Sequence, residues 1–89
     1  MNYEIKSELE AILRKLKKRD PVAFQGVINK IKEITNGDNP DHYKSLRYDL
    51  KNKKRVHIKG SFVLIFSYDA EKQMIYFLDY DHHDKIYKK

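Results

Sequence analysis

Lys53-Lys54-Arg55-Val56-His57-Ile58-Lys59-Gly60-Ser61-Phe62-Val63-Leu64-Ile65-Phe66 is the stretch that decides the fold of this 89-residue chain. Its first half alternates. Arg55, His57 and Lys59 take turns with Val56 and Ile58, and side chains two apart share one face of a strand. Val56 and Ile58 therefore face a core, while Lys53, Arg55, His57 and Lys59 form a charged stripe on the opposite face. Gly60-Ser61 marks a tight turn. Phe62 to Phe66 is apolar at every position, so neither of its faces belongs in water, and it reads as a central strand covered on both sides.

Working outward, the pattern on each flank fits that centre. Toward the C-terminus, Asp69-Ala70-Glu71-Lys72 is a turn and Met74 to Tyr80 is the last long strand. The tail Asp81-His82-His83-Asp84-Lys85-Ile86-Tyr87 follows, with Ile86 anchoring it on the core. Toward the N-terminus, Leu46, Tyr48 and Leu50 alternate with Arg47 and Asp49, which predicts a strand; a turn at Lys51-Asn52-Lys53 follows it. Asp38-Asn39-Pro40-Asp41 is a turn-rich loop. Before it the period is helical. Phe24, Val27, Ile28, Ile31 and Ile34 make one apolar face, opened by an Asp20-Pro21 start signal and closed near Thr35 by Asn36-Gly37. Leu9, Ile12, Leu13 and Leu16 make another face over about 8–18, with Ser7 and Glu10 spaced as a capping box. Tyr3 and Ile5 alternate in a short edge strand over 2–6. The order is β-α-α-β-β-β-β: an α+β fold, a single domain over 1–89, in which an N-terminal strand and a helical hairpin pack on an antiparallel sheet.

Composition sets the bounds of function. The chain has 19 Lys and Arg, 13 Asp and Glu and a net charge of +6. Between Tyr43 and Gly60 the cations are Lys44, Arg47, Lys51, Lys53, Lys54, Arg55 and Lys59, against the single anion Asp49. Seven less one is the whole excess; the rest of the chain is balanced. A basic patch so localised is the electrostatic footprint of a nucleic-acid binder. The absence of cysteine excludes disulfides, thiolate metal sites and a cysteine nucleophile. With three glycines there is neither a phosphate loop nor a dinucleotide fingerprint. No apolar run approaches the roughly 18 residues of a membrane span, and Met1-Asn2-Tyr3-Glu4 has no signal-peptide pattern. The expected compartment is the cytoplasm.

Of the four histidines, His57 lies in the basic stripe, His82 and His83 lie just past the last strand, and His42 sits in the preceding loop. Histidine exchanges protons near neutral pH. Metal-free RNA cleavage needs that exchange: a base for the 2′-hydroxyl, an acid for the leaving 5′ oxygen, and cations for the charge on phosphate. His and Asp in Asp81-His82-His83-Asp84 are also metal ligands by type. Adjacent residues of an extended segment point to opposite faces, however, so no metal or other cofactor is expected. Tyr87 is placed either to anchor the tail or to stack on a base.

These pieces together resemble the RelE/ParE superfamily of toxins from type II toxin–antitoxin modules. The resemblance covers nearly the whole chain. It rests on Leu16-Lys17-Lys18-Arg19-Asp20-Pro21, on Leu46-Arg47-Tyr48-Asp49-Leu50-Lys51, on Arg55-Val56-His57-Ile58, on Ser61-Phe62-Val63-Leu64-Ile65-Phe66 and on His83-Asp84-Lys85-Ile86-Tyr87. It implies a metal-independent mRNA endonuclease that acts on the ribosome, leaves a 2′,3′-cyclic phosphate and is neutralised in a hetero-oligomer with a cognate antitoxin. Val63 stands where RelE proper has an arginine, and Asp81 and His82 replace its basic residues before the final aromatic. The chain is more similar to the YafQ branch, which uses histidines. His57, Ile58 and Phe62 fit that branch, as does His83 four residues before Tyr87, although Ser61 stands where an acid is expected. The resemblance thus implies catalysis by His57 and His83 with Arg55 and Tyr87, and RNA binding by Arg47, Lys51, Lys53, Lys54, Lys59 and His82. The alternatives within the same fold are a ParE-like poison of DNA gyrase and an RNA- or ribosome-binding module that does not cleave.

Overall fold

The computed structural model describes residues 1–37, Pro40, Tyr43 and residues 53–88, the last two without their side chains. The elements are β1 (Asn2–Ile5), α1 (Ser7–Arg19), α2 (Pro21–Asn36), β2 (Lys53–Ile58), β3 (Phe62–Asp69), β4 (Met74–His82) and α3 (His83–Lys88). The α+β order expected from the sequence is the one observed. The strand expected over 46–50 lies outside the described residues.

The four strands form one sheet in the order β1-β4-β3-β2. β2, β3 and β4 are antiparallel neighbours. β1 joins the outer edge of β4 in parallel, with Asn2 opposite Met74 and Ile5 opposite Phe77, so the sheet is mixed. The helical hairpin, β2 and β3 all lie between β1 and β4 in the chain, so the parallel pair is made by distant segments. The pairing carries on past β1, since the Lys6 amide donates to the Phe77 carbonyl at 2.9 Å. This changes the start of α1. The expected Ser7–Glu10 capping box is not formed: Lys6 is the N-cap and makes no side-chain cap bond. The Lys6 amide is committed to the sheet, and the helix starts directly from the strand.

The junction of the two helices follows the sequence signal. Asp20 Oδ1 accepts from the Ala23 amide at 3.1 Å, and Pro21 occupies the first helical position. At the far end of α2 the Met1 amino group donates to the Thr35 carbonyl at 3.0 Å, placing a cation against the negative end of the helix. Gly26 brings α2 close to the sheet, leaving the Ile58 methyl Cγ2 3.6 Å from the place of a Cβ.

β3 has cover on both faces. Leu64 and Phe66 lie under the helices in the main core, with Leu9, Val27, Ile34, Ile75 and Phe77. Val63 and Ile65 face the other way and form a second, small core with Ile86 of α3 and Leu78. A register shift between Ile65 and Phe66 leaves Leu78 as the extra residue on β4, and this bulge lets Leu78 join the small core while Phe77 stays in the large one. Phe66 and Phe77 are fully buried, their ring centroids 5.8 Å apart.

Two substitutions separate core from cap. Phe66→Ala is expected to cost about 3–5 kcal/mol through the cavity it leaves, whereas Asp20→Ala, at an exposed cap, costs about 1 kcal/mol. Urea unfolding of the two variants against the parent measures both.

Candidate active site

Strand parity sets the first half of the site. Lys53, Arg55 and His57 of β2 pair with Ser67, Ile65 and Val63 of β3, on the face that carries the small core. In the next strand Asp81 lies opposite Val63, and β4 then runs to His82 before α3 begins at His83. The chain turns there because the His83 amide donates to the Ser61 carbonyl at 2.5 Å. That bond ties the end of β4 to the β2–β3 hairpin. Ile86, one turn further on and 4% exposed, seats the short helix on Val63 and Ile65.

The result is a histidine pair from sequence positions 26 apart. The His57 and His83 rings are stacked, centroids 5.7 Å apart and planes 26° from parallel. Both residues are exposed, so a polymer can reach them without any opening of the fold. Arg55 shares their face two residues along β2. His83 Nδ1 lies 3.5 Å from Asp84 Oδ1, which places a carboxylate beside the imidazole. Two exposed imidazoles on one face, each a group that can give or take a proton near neutral pH, are the side chains a paired acid–base step uses.

The remaining predicted residues divide. His82 pairs with Phe62, and its ring meets the edge of the Phe62 ring at 5.5 Å. Its Nδ1 accepts from the Asp84 amide at 3.2 Å, so it supports the first turn of α3 and does not join the His57–His83 stack. Lys53 keeps the parity of Arg55. Lys54 pairs with Phe66 and falls on the opposite face. Lys59 leaves the stripe as well. Its φ is +46° and that of Gly60 is +70°, so the strand ends at Ile58 and the left-handed turn carries Lys59 to the helix side. Arg47, Lys51 and His42 lie outside the described residues, as does the side chain of Tyr87. Among the described residues no three His, Asp or Glu side chains converge to hold an ion.

Three residues that assemble the site carry no chemistry of their own. Ser61 contributes a carbonyl, Ile86 a seat and Phe62 a surface for His82. A turn signal and an apolar tail residue mark the first two in the sequence, but only the fold shows that both act on His83.

The chain is 50% identical over 86 residues to a protein of Methanocaldococcus jannaschii named "Putative toxin RelE4", covering 97% of this chain and 89% of the relative. It is 43% identical over 84 residues to an uncharacterised protein of Methanosarcina mazei, covering 94% and 95% of the two chains. No family model matches, and no solved structure matches. The fold and the site define a small RelE-like domain with an open, basic histidine face. The chain belongs to the RelE family of toxins.

If Ile86 seats α3, Ile86→Ala frees the helix while the main core stays folded. Amide exchange in 83–87 should quicken by at least about tenfold, equivalent to ~1.4 kcal/mol, and the His57–His83 ring contact should disappear from nuclear Overhauser spectra. Unchanged protection of α3 would show that its position does not depend on this contact.

Proposed function

We propose that the chain is the toxin of a toxin–antitoxin pair and acts as an endoribonuclease on mRNA at the ribosome, using His57 and His83 and no metal. The observation that carries this reading is the stacked, exposed His57–His83 pair beside Arg55. His57 takes the proton of a ribose 2′-hydroxyl. The freed O2′ forms a bond to the adjacent phosphorus, the bond from phosphorus to the 5′ oxygen breaks, and His83 protonates that oxygen as it leaves. The products are a 2′,3′-cyclic phosphate and a 5′-hydroxyl. Arg55 offsets the negative charge that grows on the phosphoryl oxygens. Asp84 stands beside His83. Lys53 extends the cationic surface along β2, and Arg47, Lys51, Lys54, Lys59 and His82 contribute to the general field that attracts RNA. Tyr87 stacks on a base next to the cut. The protein works in the cytoplasm, and a cognate antitoxin holds it inactive in a hetero-oligomer.

The 50% identical relative named as a RelE toxin supports the toxin part of this reading. The histidine pair supports the nuclease part. None of the features described favours gyrase over RNA.

The test is cleavage of a defined mRNA with and without ribosomes, followed by primer extension. His57→Ala and His83→Ala should each lower the single-turnover rate by about 10²–10⁴-fold. The double variant should lose little more than either single one, because the two act in one step. A parent chain that leaves mRNA intact under both conditions, or that breaks DNA only when gyrase is present, overturns the proposal.

The pH profile gives a separate check. With one histidine needed neutral and the other needed charged, the rate rises with pH as the base loses its proton and falls as the acid loses its own. His57→Ala should flatten the rising limb and His83→Ala the falling one.

A further inference from the structure

β1 ends the sheet, with β4 on one side and no strand on the other among the described residues. The Lys6 amide bonds to the Phe77 carbonyl, and the bonding direction alternates along a strand. Glu4 and Asn2 therefore turn their amides and carbonyls to β4, whereas Tyr3 and Ile5 turn theirs outward. An edge of this kind is a template for pairing with another chain. The side chains favour the same outcome. Among the described residues four large apolar side chains stand exposed, and two of them, Met1 at 42% and Tyr3 at 50%, lie on this edge. Tyr3 and Ile5 lie opposite Ile75 and Phe77, so they share the helix side of the sheet. Ile5 packs on the core there, and the Tyr3 ring meets that of Phe77 nearly at right angles, centroids 5.8 Å apart.

The other side of β1 carries Asn2 and Glu4, with Lys6 next in line. Glu4 and Lys6 pair with each other at 2.7 Å, and the Lys6 ammonium lies 4.8 Å from the centre of the Tyr76 ring. The two charged side chains of this edge thus offset one another. β2, at the opposite end of the described sheet, is cationic at Lys53, Lys54 and Arg55, which opposes close approach of the same strand from a second copy. Self-pairing is therefore open to β1 and not to β2.

We propose that β1 pairs antiparallel with β1 of a second copy of this chain, Tyr3 opposite Tyr3 on a two-fold axis normal to the sheet. The Tyr3 amide of each copy donates to the Tyr3 carbonyl of the other, and each Ile5 amide donates to the Met1 carbonyl of the other. Tyr3 then neighbours Tyr3 and Met1 neighbours Ile5, so the exposed apolar side chains cover one another. On the other side of the sheet Glu4 meets Asn2. The next register that matches outward groups sets Tyr3 opposite Ile5. It also sets Glu4 against Glu4 at the axis, and like charges directly opposite are destabilising. A patch complementary to itself closes as a two-fold dimer. One sheet then runs through both copies, with both histidine faces on the same side. The contact is small, so the dimer is weak and concentration-dependent. The proposal does not depend on nuclease activity, because its readout is association.

The test is sedimentation velocity of the whole chain up to about 1 mM, with a dimer Kd below about 500 μM expected. Over the same range amide exchange at Tyr3 and Ile5 should slow with concentration, while that of Glu4, bonded to β4 in either state, should not. Tyr3→Lys, at an exposed position, sets two cations face to face on the axis and should raise the Kd at least about tenfold. Tyr3→Pro removes an outward amide and leaves the β4 ladder its bonds, and should do the same. The chain has no cysteine, so Tyr3→Cys carries a single thiol. Across a hydrogen-bonded pair the Cα atoms stand about 5.5 Å apart, within disulfide reach, and this variant should oxidise to a linked dimer. Glu4→Cys, with its mates further apart, should link at least about tenfold more slowly. A chain that stays monomeric at about 1 mM overturns the proposal and leaves the edge to a strand of another protein. So does a dimer that Tyr3→Lys leaves intact, or one that links faster through Glu4→Cys than through Tyr3→Cys.

Discussion

Burial of β3 on both faces is the constraint from which the rest of the architecture follows. Val63, Leu64, Ile65 and Phe66 are all nearly inaccessible, and four consecutive apolar side chains on a strand cannot be buried by one layer. The helical hairpin covers Leu64 and Phe66. Val63 and Ile65 need something else, and in a chain of this length the last residues provide it. Ile86 closes the small core with Leu78. Because α3 starts at His83, the apolar contact that satisfies β3 also fixes the residue beside His57. The chemistry of the site is a by-product of covering the second face.

The helices, their junction and the two-sided central strand were legible because each is written in local sequence. Asp20-Pro21 caps α2 as the residues suggest, and the period-two pattern of β2 puts Arg55 and His57 on one face and Ile58 on the other. What was hidden depends on partners or on backbone sign. Nothing in Tyr3 and Ile5 says that β1 pairs in parallel with β4. The spacing of Ser7 and Glu10 fits a capping box, but the Glu10 amide donates to the Lys6 carbonyl, which makes Lys6 and not Ser7 the N-cap. A six-residue helix such as α3 is too short to show a period, although Ile86 correctly marked an anchored tail. Lys59 belonged to the stripe by parity and left it through a positive φ. Of the proposed catalytic set, His57 and His83 do meet, and their meeting could be expected only from the family resemblance, since the two lie 26 residues apart.

The two faces of the sheet carry different surfaces. Around His57 the exposed groups are basic and titratable, on a flat face with a strand edge and a short helix for relief. On the helix side Ile12, Leu16, Ile58 and Tyr80 line an apolar groove with charged residues at its rim. Phe62 lies between them. Its ring stacks on Tyr80 at the groove and meets the edge of His82, whose Nδ1 accepts from the first turn of α3. The hairpin turn does the same through its backbone, with Ser61 holding His83 and Lys59 reaching the groove rim.

That arrangement gives the β2–β3 turn more influence than its size suggests. Three residues, Lys59, Gly60 and Ser61, stand between Ile58 and Phe62, and the first two have positive φ. Glycine takes such a backbone freely, whereas lysine pays about 1 kcal/mol or more for it. A tighter turn with an extended Lys59 would continue the basic stripe and add a cation beside His57. The observed turn instead lengthens the loop enough for the Ser61 carbonyl to reach the His83 amide. The conformation therefore trades one cation on the histidine face for the bond that positions the second histidine. For paired acid–base chemistry placement is the scarcer requirement: Arg55 already supplies charge on that face, and the Ser61 carbonyl ties His83 to the hairpin.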